Sequence, residues 1–333
     1  MRAIVLAAGL GKRLRPLTYE MPKPLMPVAN TPVMEHILRL LRRHGFTELV
    51  TNTSHLPEMI TERFGDGSAL GVELSYSYEE ELLGTAGGVR NVADFLTGGE
   101  ADSFLVISGD GLTDLDLSAM RDSHESQGGI ATIALKKVPD PGEYGVVITG
   151  ADSRIQAFQE KPEPSEALSD LASSGIYMFR NEIFEHFPER DFVDWAMDVF
   201  PALLDGDVPM FGHEISGYWN DVGSLGEYLQ GNADALSGAV DIKLGGEEAA
   251  DGVRLAPGVQ LPADANVTAP VLIGAGTNVG PGSTLEGPLA VGSGCVIGEG
   301  AWLKESVVLD GARLEARTML IRAIAGRRSA TAP

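Results

Sequence analysis

Cys295 is the only cysteine in the 333-residue chain, so no intrachain disulfide can brace the fold, and a reducing cytoplasm is the expected compartment. Positive charge is also scarce. Twenty-five lysines and arginines face 47 aspartates and glutamates, a formal net charge of −22. Such a surface repels polyanions, which argues against nucleic acid or an anionic membrane as a partner. An anionic substrate would have to be met by a local group of cations or by a metal. No apolar run approaches the roughly 18 residues of a membrane span, and residues 1–8 are too short a stretch for a signal peptide.

What is present is enough aliphatic material, 44% apolar residues, for one large domain and a smaller one. RAIVLAA (residues 2–8) is a continuous apolar run, as expected of a parallel strand buried on both faces. Four prolines between residues 15 and 30 forbid a helix there, and TPVMEHILRLLRRHG (31–45) then reads as one, with Thr31 as N-cap, Pro32 at the first position and Gly45 past the end. ELVTN (48–52), GVELSYS (71–77), SFLVISGD (103–110) and GIATIALKKV (129–138) read as strands, and stretches near 56–64, 86–96 and 118–124 as helices. This alternation predicts a doubly wound α/β domain with its ligand at the carboxyl ends of the strands.

From Leu255 an aliphatic residue recurs at every sixth position: Leu255, Leu261, Val267, Ile273, Val279, Leu285, Val291, Ile297, Leu303 and Leu309. Glycine follows directly at Gly274, Gly280, Gly292 and Gly298. That period is the signature of a hexapeptide-repeat parallel β-helix, expected to be left-handed, with about three coils of roughly 18 residues. The division expected is a catalytic domain over 1–238, a linker over 239–252, the β-helix over 253–325 and a frayed tail over 326–333. Cys295 falls inside the repeat and reads as a small packing residue.

LAAGLGKRLRPLT (6–18) drains the first strand into glycines, cations and proline. A dinucleotide fingerprint fails here, because Leu14 stands at the third glycine and prolines replace the helix. A P-loop fails too, with Leu6 at its first glycine and Arg13 at its metal-binding hydroxyl. What remains is a loop whose backbone N–H groups can approach a polyphosphate and whose Arg13 can grip it. In MPKPLMPV (21–28) Lys23 lies between two prolines, which should keep the stretch extended and stiff.

Taken together, LAAGLGKRLRPLTYEMPKPLMPV resembles the signature of the sugar nucleotidyltransferases, which join a sugar 1-phosphate to a nucleoside triphosphate and release pyrophosphate. The family usually has a second glycine where this chain has Ala8, and often threonine where it has Lys12. The resemblance implies a doubly wound mixed-sheet domain followed by the β-helix, a nucleotide loop at Leu6, Ala8, Gly9, Gly11 and Arg13, and catalytic roles for Arg13 and Lys23. EEELLGTAGG (79–88) resembles the base-reading segment, placing Gly84 and Thr85 against the nucleoside. Glu79 stands where uridine- and thymidine-using relatives commonly have glutamine. A carboxylate can accept from both N1–H and the 2-amino group of guanine, which favours GTP.

VISGDGLTDLDL (106–117) and GYWNDVGSLGEYLQGNADAL (217–236) resemble the family's two metal motifs, implying Asp110 and Asp221 as ligands of Mg²⁺. Asp114 and Asp116 read as capping and structural. EYGVVI (143–148) and FQEKPEP (158–164) imply Gly145 and Glu160 on sugar hydroxyls and Lys161 on the sugar phosphate. SSGIYMF (173–179) has Ser173 where guanylyl- and glucosamine-type relatives often carry asparagine. The implied chemistry is in-line attack of the sugar phosphate on the α-phosphorus. Arg13 meets the leaving β/γ-phosphates, Lys23 the α-phosphate and Lys161 the incoming phosphate.

The expected product is a GDP-sugar, mannose 1-phosphate being the expected acceptor. UDP- or dTDP-glucose synthesis and a non-catalytic nucleotide-sugar-binding subunit stand as alternatives, the last being hard to reconcile with intact Arg13, Lys23, Asp110 and Asp221. Acyl transfer is disfavoured because no histidine follows His213. A homo-oligomer through the β-helix is expected.

Overall fold

The computed structural model describes residues 1–163, 165–327 and 330–333. Pro164, which ends the FQEKPEP segment, and Arg328 and Ser329 of the expected tail lie outside the described residues.

The run at the start of the chain forms β1 (Arg2–Leu6), and the alternation that follows gives α1 (Val33–Arg43), β2 (Glu48–Thr53), α2 (Pro57–Phe64) and β3 (Glu73–Tyr78). Two short helices, α3 (Thr85–Arg90) and α4 (Ala93–Thr97), stand where one was expected, and lead to β4 (Ser103–Ser108) and α5 (Leu117–Gln127). Next come β5 (Ala131–Lys137), β6 (Gly145–Thr149), β7 (Ile155–Glu160), β8 (Leu171–Arg180), α6 (Phe200–Asp205), β9 (Met210–Glu214) and α7 (Leu225–Leu236). The sheet runs β7-β6-β8-β4-β1-β2-β3, with β5 on β8 and β9 on β5. β4, β1, β2 and β3 are mutually parallel and β8 is antiparallel to β4, so the sheet is mixed. Apolar side chains of β1 and β4 pack on both faces, which is why these strands read as unbroken runs.

The expected start of the first helix is corrected by one turn of hairpin. Thr31 and Pro32 pair antiparallel with Pro27 and Val28, and the helix begins at Val33. The two linking residues, Ala29 (φ 48°) and Asn30 (φ 62°), are both left-handed, as a tight hairpin turn demands. Alanine rarely tolerates that conformation. Here Ala29 N–H is held by Asn232 Oδ1 at 2.9 Å, and Asn30 Nδ2 donates to Val291 O at 2.7 Å.

After α7 the strands shorten and stack in three parallel sheets, the arrangement of a β-helix. On one face Arg254, Leu272, Ala290, Val307 and Ile324 form successive rungs, more coils than the three expected. The step is 18 residues down to Val291 and 17 beyond it, because the corner between Leu303 and Val308 is one residue shorter. Val308, not Leu309, therefore stands in the column below Val291. Leu309 instead packs against the apolar cluster that includes Leu14, Met26 and Val28. The glycines after the aliphatic positions are steric: a Cβ on Gly274 would lie 2.6 Å from the Gly292 backbone of the next coil.

Both ends of the repeat fold back. Glu247–Ala250, within the expected linker, pairs antiparallel with Val253–Leu255, and Ala330–Thr331, within the expected frayed tail, pairs antiparallel with Ile324–Ala325. These returns cover the open edges of the repeat. The β-helix is not a remote appendage. Leu272, Ala290, Val307 and Ile324 share one apolar cluster with Leu14, Leu17, Met26 and Val28, which lie in and just beyond the glycine-rich loop.

Candidate active site

The loop after β1 is fixed from behind. Ala7 N–H donates to Asn52 Oδ1 at 2.8 Å, and Leu6 O accepts from Gly109 N–H at 2.9 Å, so the ends of β1, β2 and β4 meet at one point. Ala7 and Ala8 are buried, while Gly9 has open space where a side chain would be. Gly11 is left-handed (φ 57°), and Thr18 Oγ1 donates to its carbonyl at 2.8 Å. A Cβ there would meet Thr18 at 2.9 Å, so both space and backbone call for glycine. A 3₁₀ turn, Lys12–Leu14, then buries Leu14 and leaves Arg13 projecting, its guanidinium 3.5 Å from Asp221 Oδ2.

Lys23 is only 8% exposed, and its ammonium is bonded on two sides: 2.9 Å to Asp110 Oδ2 and 2.9 Å to the carbonyl oxygen of Asp221. The expected extended Pro-Lys-Pro stretch is corrected here. Pro22 is extended, but Lys23–Leu25 forms a 3₁₀ turn closed by Leu25 N–H to Pro22 O at 2.9 Å, which carries Leu25 and Met26 into the core. Asp110 follows β4, one oxygen accepting from Ser108 Oγ at 2.8 Å. Asp221 follows the Trp219–Asn220 strand and accepts from Gly223 N–H at 3.2 Å. Burial and then the neighbouring Glu227 carboxylate push the Asp221 carboxyl up, against the downward pull of Lys23 and Arg13. Arg13, Lys23, Asp110 and Asp221 thus converge from segments more than 200 residues apart.

Glu79 lies elsewhere than at an open, base-facing position. It is 3% exposed, with Oε1 accepting from Asn52 Nδ2 at 2.7 Å and Oε2 from Leu83 N–H at 3.1 Å. Its carboxylate joins the glycine loop, through Asn52, to the turn before Gly84. Gly84 (φ 83°) sits so close to Val193 that a Cβ would strike its carbonyl. Ala86 and Gly87 donate their N–H groups to that same carbonyl at 3.0 and 2.9 Å. Thr85 Oγ1 donates to Asp194 Oδ2 at 2.7 Å and accepts from Trp195 N–H at 3.1 Å. The Gly84–Gly87 segment is therefore stitched to residues 193–195, a partnership that the sequence does not signal.

On the other flank Gly145 and Glu160 face each other across β6 and β7, and a Cβ on Gly145 would come within 3.2 Å of Glu160 Oε2. Lys161 is left-handed (φ 43°) and exposed, its N–H donating to Tyr144 O at 3.1 Å. Its ammonium has no ion pair among the described residues. Ser173 Oγ lies 3.4 Å from the Tyr177 hydroxyl, where the β8–β5 pairing slips around left-handed Gly175. Burial pushes that tyrosine up to about 12, with Asp194 and Glu160 adding to the rise. Tyr144 reaches the other half of the site, its hydroxyl donating to Glu227 Oε1 at 3.1 Å. Glu227 is legible only as the end of a Ser224-x-x-Glu227 capping box, whose Ser224 Oγ accepts from Glu227 N–H at 3.2 Å.

Asp116 caps α5 through Ser118 and Ala119 N–H, and Asp114 accepts from Tyr218 and Asp241 N–H, so both are structural as read. Cys295 is fully buried among the coils. No group of three or more metal-ligating side chains is gathered among the described residues, and no helix of the described residues is long and apolar enough to cross a membrane.

Comparison with known proteins gives consistent matches. The sequence pattern of the family described as nucleotidyl transferase matches residues 2–238. The UTP–glucose-1-phosphate uridylyltransferase of Synechocystis sp. is 37% identical over 94% of this chain and 84% of its own length. The mannose-1-phosphate guanylyltransferase of Mycobacterium tuberculosis is 36% identical over 96% of this chain and 83% of its own. Among solved structures, a putative glucose-1-phosphate thymidylyltransferase from Bacillus anthracis superimposes with a TM-score of 0.64 at 28% identity, covering 74% of this chain and 97% of its own.

Proposed function

The chain belongs to the nucleotidyl transferase family and is a sugar-1-phosphate nucleotidyltransferase, and on that premise we propose that it makes GDP-mannose from GTP and mannose 1-phosphate. The observation that carries the chemistry is the Lys23 ammonium, buried between Asp110 and Asp221 with Arg13 beside them. Guanine and mannose are supported by the likeness to the Mycobacterium tuberculosis enzyme over 96% of the chain. Uridylyl transfer to glucose 1-phosphate is the second reading, favoured by the Synechocystis relative and by the engagement of both Glu79 oxygens within the protein.

In this reading the glycine loop's N–H groups and Arg13 hold the β/γ-phosphates, and Arg13 neutralises the charge that pyrophosphate carries away. Lys23, stiffened by its two bonds, faces the α-phosphate. Lys161 binds the incoming phosphate, while Gly145 and Glu160 orient the sugar and leave it poised for in-line attack. Asp110 and Asp221 fit a divalent cation, Mg²⁺: both are hard oxygen donors, and their shared contact with Lys23 gathers them at one place. Such an ion supplies charge neutralisation between the two phosphates when bound.

The deciding assay is pyrophosphate release across GTP, UTP, dTTP, ATP and CTP, each with mannose 1-phosphate and glucose 1-phosphate. GTP with mannose 1-phosphate is the expected best pair. Preference for UTP with glucose 1-phosphate would replace it with the second reading, and release with no pair would remove both. We read residues 1–238 as the catalytic unit and the protein as cytoplasmic. A homo-oligomer through the β-helix is supported by Met319 and Ile321, exposed on one of its faces, and a monomer in light scattering would overturn it.

A further inference from the structure

A second group of cations lies apart from Arg13, Lys23 and Lys161. The last two turns of α1 present Arg39, Arg42 and Arg43 to a cleft of about 420 Å³, which Lys243 enters from the segment after α7 and which Leu70 and Ile242 line with apolar surface. Two of these charges are accounted for. Arg39 bonds Glu35 at 2.7 Å, a carboxylate it shares with Arg63, and Arg43 bonds Asp241 at 2.7 Å. The Arg42 and Lys243 side chains have no ion pair or hydrogen bond among the described residues.

The placement is costly as it stands. Arg42 and Lys243 are left uncompensated on one concave surface, beside the paired Arg39 and Arg43, in a chain that carries −22 overall. The carbonyl end of α1 offers only about half a negative charge. His36, which also lines the cleft, adds no negative charge: its Nε2 lies 3.1 Å from Val28 O, and burial keeps the ring neutral.

We propose that this cleft binds a small phosphorylated anion carrying two or more negative charges. Arg42 and Lys243 grip the phosphate, Arg39 and Arg43 stand at its rim, and Leu70 and Ile242 take the carbon skeleton. Guanidinium and ammonium groups are the donors that phosphate recognition uses, and the volume falls in the range of roughly 300–1,000 Å³ found for small-ligand clefts. An acidic polypeptide segment would need a longer groove. The bound anion would tie α1 to residues 241–243, the stretch through which the catalytic domain continues toward the β-helix, so occupancy would stiffen that join.

The test uses the full chain and inorganic phosphate, read as the rise in melting temperature over sodium chloride of matched ionic strength. Wild type is expected to show a saturable rise. The neutral double variant Arg42→Gln/Lys243→Gln should need about tenfold more phosphate or worse, since each lost charge-assisted contact is worth roughly that factor. Its turnover without phosphate should stay at the wild-type value, and Lys23→Ala should keep the phosphate response. Three results would each overturn the proposal: no saturable rise in wild type, an unchanged midpoint in the double variant, or loss of the response in Lys23→Ala, which would assign the phosphate to the catalytic site.

Discussion

The Tyr144 hydroxyl donates to Glu227 Oε1 at 3.1 Å, while the carbonyl of the same tyrosine accepts from Lys161 N–H at 3.1 Å. One residue thus ties the turn that bears Gly145 and Lys161 to the turn that bears Asp221. Tyr144→Phe removes only the hydroxyl and should raise KM for the sugar 1-phosphate about tenfold, the worth of a hydrogen bond to a charged group, with KM for the nucleotide little changed. Steady-state kinetics with each substrate varied in turn would check it. Equal rises in both constants would mean that the bond merely supports the fold.

Lys23→Ala should lower kcat by about a hundredfold or more, the usual loss when one preorganised donor to developing charge is removed. The fold should persist, because the carboxylate left behind on Asp110 reaches solvent. Turnover and melting temperature measured on the same preparation separate the two effects.

Glu79→Gln tests whether that side chain reads a base or braces the site. Glutamine can accept only through one oxygen, so its amide would oppose either Asn52 Nδ2 or Leu83 N–H. The expected outcome is a rise in KM for every nucleoside triphosphate together. A change in the ranking of GTP against UTP would instead assign Glu79 to the base.

Acid should weaken the fold through His124. The ring is fully buried on α5, with Nδ1 2.9 Å from Thr132 Oγ1 and Nε2 without a partner among the described residues. Burial, with Arg180 adding to it, pushes the imidazole down to about 4. A histidine depressed in the folded state takes its proton first when unfolded. Stability is therefore intact above the ordinary value of 6.5 and is lost as pH falls from there toward 4, by up to about 1.4 kcal/mol per pH unit. Urea unfolding of wild type against His124→Gln across that range should show the extra slope in wild type alone.

The parallel strands and the β-helix were legible because each rests on a local pattern, apolar runs and a period of six, and short motifs singled out Arg13, Lys23, Asp110 and Asp221, which the fold brings together. What escaped notice depends on partners far along the chain. Nothing near Ala29 signals a left-handed turn, since Asn232 and Val291 hold it there. The resemblance placed Glu79 in the nucleotide half, but its bonds are to Asn52, which precedes it by 27 residues, and to Leu83 N–H. The column position of Leu309 failed for a different reason. One residue dropped from a corner keeps the apolar alphabet intact while moving every later residue by one place.

The cluster joining Leu14, Leu17, Met26 and Val28 to Leu272, Ala290, Val307 and Ile324 has a consequence for opening motions. The glycine-rich loop cannot loosen on its underside without uncovering a face of the coils, and the coils cannot peel away without uncovering the loop. Backbone amides of the two should therefore exchange with solvent as one cooperative unit, although more than 250 residues separate them. Removing the coils would leave an α/β domain with its sheet intact and its glycine-rich loop resting on water.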